Sequence, residues 1–84
     1  MFTPTGNKQI DRLNACALDI AKRHDAAFGV LSTGEKCYVA LAANRVDLLT
    51  EMGYTIPEAM ARTGDEWCGY LIYSWQYAGN PANY

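Results

Sequence analysis

Near the start of the chain, apolar residues recur at steps of three and four. Ile10, Leu13, Ala17, Ile20 and then His24 fall on one helical face, with Cys16 and Ala21 flanking it. Asn7 stands where an N-cap is needed. Asp11 lies near the start and Lys22, Arg23 and His24 near the end, as the helix dipole favours. Asp19 and Arg23 are spaced i,i+4 in the favourable order. The pattern predicts an amphipathic helix over residues 7–26, preceded by an irregular leader, "MFTPTG".

The pattern changes at "AFGVLSTGEKCYVALA". Phe28, Val30 and Leu31, then Tyr38, Val39 and Leu41, are strand-type residues on either side of the turn-rich "STGE". This predicts a β-hairpin leaning on the first helix, because two strands alone are marginal in water. "NRVDLLTEMG" sets Val46, Leu49 and Met52 at helical spacing and closes on Gly53, which predicts a short helix. "TIPE" has the form of a capping box. Thr55 caps, Pro57 falls in the first turn where its missing N–H costs nothing, and Glu58 reaches back. That helix should run to about Thr63, with Gly64 as a break. Asp65 and Glu66 then open a last helix extending to Ala78, before "GNPANY" ends it. The expected fold is α+β: an N-terminal amphipathic helix, a β-hairpin, then two or three short C-terminal helices, in one small globular domain spanning residues 1–84.

The last helix carries two stripes. Trp67, Leu71, Trp75 and Ala78 form one, enough to dock the helix on a core. Tyr70, Tyr73 and Tyr77 form a second, turned away from the first, with Ile72 on a third side. A helix apolar nearly all round is either fully buried or covered by something else, and a domain of 84 residues has little with which to surround it. Tyr and Trp concentrate binding energy at interfaces. The plainer reading is that these tyrosines rim the core with their hydroxyls in water.

Charge sharpens the choice. The net charge is −2, unevenly spread. Residues 1–45 hold Lys8, Arg12, Lys22, Arg23, Lys36 and Arg45, whereas residues 46–84 hold only Arg62 against Asp47, Glu51, Glu58, Asp65 and Glu66. An acidic, aromatic C-terminal half disfavours a phosphate backbone as partner and favours a basic protein surface. "TIPEAMARTG" resembles the first helix of a helix-turn-helix, which implies a small DNA-binding regulator. The second helix would then present Glu66, Trp67, Tyr70 and Tyr73 to the groove, with no Lys or Arg, and base reading needs donors such as Arg, Asn or Gln.

Chemistry is sparse. Cys16, Cys37 and Cys68 are odd in number and widely spaced, which suits buried free thiols in a reducing cytosol. "TGEKCY" matches the linker of zinc fingers, yet with one His and no C-x-x-C no tetrahedral site can form. His24, on an apolar stripe, reads as a core-edge residue. No phosphate loop, matched carboxylate pair or nucleophile elbow occurs, so neither an enzyme nor a cofactor or metal is expected. The apolar runs are too short for a membrane span and no secretion signal opens the chain, so the expected compartment is the cytoplasm.

A short, cysteine-odd, mildly acidic, motif-poor chain of this kind resembles the small accessory proteins of phages and other mobile elements, the anti-CRISPR and other anti-defence inhibitors among them. The resemblance is one of overall style and transfers no residue. It implies a non-enzymatic inhibitor that blocks a surface of a host protein or protein complex in the host cytoplasm. The residues expected to make that contact are Glu58, Asp65, Glu66, Tyr70, Tyr73 and Tyr77. A DNA-binding regulator is the alternative reading, and a homodimer or other homo-oligomeric structural module the third.

Overall fold

The computed structural model describes residues 5–75; Tyr77, Ala78 and the "GNPANY" segment lie outside them. Among these residues five α-helices follow one another: α1 Lys8–Ala21, α2 Thr33–Ala42, α3 Val46–Met52, α4 Ile56–Thr63 and α5 Asp65–Trp75, with a 3₁₀ turn at Phe28–Val30 before α2. The predicted caps of α1 and α4 form. Asn7 Oδ1 accepts from the N–H groups of Gln9 and Ile10 at 3.0 and 3.2 Å. Thr55 and Glu58 complete their capping box at 3.0 and 3.2 Å.

The β-hairpin does not form. No residue among those described is in a strand, and the fold is all-helical, not α+β. "STGE" is a second capping box: Ser32 Oγ accepts from the Glu35 N–H at 3.3 Å, and Glu35 Oε1 from the Ser32 N–H at 2.9 Å. It opens a helix where a turn was expected. The strand-like run after it, Cys37, Tyr38, Val39 and Ala40, is fully buried at every position. α2 is the central helix, packed by α1, α3, α4 and α5. A helix covered on all sides carries no 3.6-residue alternation, so its sequence looks like that of a buried strand.

The end of α1 also differs from the expectation. α1 stops at Ala21, not near residue 26. Arg23, at φ 67°, donates its N–H to Ile20 O at 2.9 Å, and His24 donates to Asp19 O at 3.0 Å. Asn44, at φ 56°, closes α2 in the same way, with the Arg45 N–H on Ala40 O at 2.9 Å. α3 makes this left-handed closure through a glycine, Gly53 at φ 82°. His24 is therefore exposed beyond the helix and not on its stripe. Arg23 leaves the helix, and its guanidinium reaches Asp47 at 3.5 Å.

The core joins Ile10, Leu13, Ala17 and Ile20 of α1 to the buried run of α2, Leu48 and Leu49 of α3, and Ala59 of α4. The ends of these helices are tied by Arg45, which is only 6% exposed. Its Nη1 donates to Ile20 O at 2.9 Å and to Asp25 at 3.0 Å. Nη2 donates to Asp25 and Asp47 at 3.2 and 2.8 Å, and Nε to Asp47 at 3.0 Å. The guanidinium is thus saturated, and two carboxylates balance a charge that would otherwise be costly to bury. The hydrogen bonds from Arg45 bring the Asp47 carboxyl down to about 2.

Candidate protein-binding face

α5 begins where Gly64, at φ 92°, breaks the chain after α4. That conformation is far from helical and keeps α4 and α5 from merging, and a residue with a side chain would be strained in it. The Cys68 N–H then bonds Gly64 O at 2.9 Å, the first helical bond of α5. Asp65 and Glu66 lie in its first turn, at the positive end of the dipole.

The inner side of α5 is fixed by a buried polar cluster. Asn14, fully buried on the otherwise apolar face of α1, accepts at one atom, Oδ1, from the Tyr38 hydroxyl at 2.6 Å and from Trp75 Nε1 at 2.7 Å. Its Nδ2 donates to Ser74 Oγ at 3.2 Å. Trp67 sets its ring edge-on to Tyr38, with centroids 5.9 Å apart and planes at 82°. Trp67, Leu71 and Trp75 pack against the core as the stripe implies, though each stays partly exposed; Ser74 is the fully inward residue of the helix. Burial pushes the Tyr38 phenol up to about 12, against the opposing effect of its bonds to Trp75 and Asn14. Asn14 and Ser74 escaped the sequence reading because a polar residue interrupting an apolar stripe looks like the edge of that stripe.

The outer side is open. Ile72 is 62% exposed and Tyr73 54%. A groove of about 330 Å³ lies along this side, lined by Glu66, Gly69, Tyr70, Tyr73 and Thr5. Residues 66, 69, 70 and 73 follow the i, i+3, i+4, i+7 spacing of one helical face. Thr5 is brought to them by Asp11, whose Oδ1 accepts from both its N–H and its hydroxyl at 2.8 Å. Those bonds also lower the Asp11 carboxyl below its ordinary value.

Of the residues expected at the contact, Glu66, Tyr70 and Tyr73 come together in this groove. Asp65 is exposed on the same first turn without lining it, and Tyr77 lies outside the described residues. Glu58 is occupied at the start of α4, where its carboxyl is lowered by the Thr55 N–H. Thr5 and Gly69 were not anticipated. Gly69 alone carried a signal, standing three residues after Glu66 in the middle of a helix.

No family model, curated protein or solved structure matches this chain. Its chemistry has to be read from the side chains. Among the described residues no cluster of His, Cys, Asp and Glu has the makings of a metal site. Cys37 is buried, and Cys16 and Cys68 are half-buried; all three are unpaired thiols raised above their ordinary value chiefly by burial. No helix of the described residues is long and apolar enough to cross a membrane.

Proposed function

We propose that this chain is a non-enzymatic protein-binding module that uses the outer side of α5 as its contact face, acting as a phage-type inhibitor that occupies a basic surface of a host protein complex. One observation carries the reading. Tyr70, Tyr73 and Ile72 stand beside Asp65 and Glu66 on a helix whose opposite side is pinned to the core, so aromatic anchors and acidic groups are presented in a fixed arrangement. A preformed face loses little side-chain freedom when a partner docks. The absence of Lys and Arg from α5 supports a protein partner over a duplex, which draws its affinity from such cations.

The test compares the intact chain with Tyr73→Ala and Ile72→Asp in capture from a host lysate, with thermal melts and solution mass measured alongside. A stoichiometric basic partner retained by the wild type and lost by both variants at unchanged melting temperature supports the reading. Retention of the partner by both variants sinks it, as does nanomolar, sequence-specific shifting of a DNA duplex. A dimer that becomes a monomer in both variants transfers the face to self-association.

A further inference from the structure

The groove on α5 is lined by Glu66, Gly69, Tyr70, Tyr73 and Thr5. Three features converge there. First, among the described residues neither Glu66 nor the hydroxyls of Tyr70 and Tyr73 has a hydrogen-bond or ion-pair partner. Glu35, Glu58, Asp11, Asp25 and Asp47 are each engaged in a cap, an anchor or an ion pair, while Asp19, Glu51 and Asp65 are, among the described residues, unengaged like Glu66 but do not line the groove. Second, the i, i+4, i+7 spacing sets a carboxylate and two electron-rich rings along one strip, and such rings attract a cation over their faces.

Third, no described residue requires a glycine at Gly69. It is interior to α5, is not among the residues with positive φ, and a Cβ there would meet no described residue within 4 Å. A helix interior is weakened by glycine relative to alanine. What glycine supplies is room, between Glu66 and Tyr73, for something from outside to approach the backbone. We infer that the groove of Glu66, Gly69, Tyr70, Tyr73 and Thr5 receives an arginine side chain of the partner, its guanidinium against the Glu66 carboxylate and the tyrosine rings. Arginine fits better than lysine, because its planar group stacks on rings and gives up hydration more readily. This inference rests on the reading of α5 as a protein-binding face, and names what that face holds.

The probe is N-acetyl-arginine amide, added to the full-length chain at constant ionic strength and followed by NMR at the Gly69 amide and the Tyr70 and Tyr73 rings. N-acetyl-lysine amide and the uncharged N-acetyl-norleucine amide are the controls. A single exposed contact of this kind has a dissociation constant on the order of 10 mM. Saturable shifts confined to the groove are expected with arginine, weaker ones with lysine and none with norleucine. Glu66→Gln should weaken arginine binding about threefold. Gly69→Leu, which favours the helix and fills the groove, should abolish it while the protein melts at or above the wild-type temperature. Equal shifts with norleucine, no shift with arginine up to about ten times that constant, or wild-type binding by Gly69→Leu would each overturn the inference. A captured protein lost by Tyr73→Ala but unaffected by Glu66→Gln and Gly69→Leu leaves the face in place and removes the arginine site. Arginine binding by a chain that captures no protein does the reverse.

Discussion

Replacing Asn14 by alanine should cost far more than the loss of one surface amide. The single atom Asn14 Oδ1 serves the Tyr38 hydroxyl and the Trp75 ring N–H, so the substitution takes one acceptor from two donors inside the core. The Tyr38 hydroxyl is stripped of its acceptor, which costs about 1–3 kcal/mol, whereas Trp75 keeps its bond with Tyr38. A domain of 84 residues has roughly 4–13 kcal/mol of stability in total. The variant should therefore lose about a quarter of its stability, and α5 should be loosened first, because Trp75 and Ser74 are tied to α1 through this amide. Tyr38→Phe removes one donor and leaves Asn14 bonded to Trp75, so it should cost only about 1 kcal/mol. Urea melts followed by far-ultraviolet circular dichroism and tryptophan fluorescence measure both variants and their combination. In the Asn14→Ala background, Tyr38→Phe should be neutral or stabilising, since it deletes a hydroxyl that has lost its acceptor. A cost below about 1 kcal/mol for Asn14→Ala, or an equal cost of Tyr38→Phe in both backgrounds, would refute this account of the cluster.

Three further outcomes are expected. Because the Asp47 carboxyl is held at about 2, the stabilisation from its pair with Arg45 is complete above the ordinary carboxylate value near 4 and fades as pH falls toward 2; acid titration of the melting temperature should show this limb, and Asp47→Asn should make it shallower, the remainder coming from the lowered carboxyls of Asp11, Glu35 and Glu58. Tyr38 has the opposite sign: raised to about 12, it keeps its proton while an unfolded chain ionises near 10, so stability should fall as pH rises from 10 to 12, and less steeply in Tyr38→Phe. Ser32→Ala removes the side-chain half of the α2 capping box and should lower stability by about 1 kcal/mol, a shift of about 4–8 °C in Tm; a melt unchanged by this substitution would mean that α2 is set by burial alone.

Local chemistry was sufficient wherever it acts within a few residues. The Asn7 and Thr55 caps, the stop at Gly53 and the break at Gly64 were legible because each is a side chain, or the lack of one, acting on backbone close by. The exposure of Tyr73 was legible too, since α5 has more apolar faces than a small core can cover. "STGE" carried the same capping signature as "TIPE" and was read as a turn only because strand-type residues flank it.

The rest was decided in three dimensions. Whether Tyr38 and Val39 belong to a strand or a helix depends on how many neighbours enclose them, and only the packing of four helices around α2 settles that. Arg23 and Asn44 end their helices in the left-handed region without a glycine. The saturated Arg45 between them, anchored on Ile20, Asp25 and Asp47, links turns far apart in sequence. Asn14 could be recognised as core only once Tyr38, Ser74 and Trp75 had converged on it from two other helices. A polar group is stable in an apolar interior when every donor and acceptor finds a partner, and partners 24 to 61 residues away leave no mark on the local pattern.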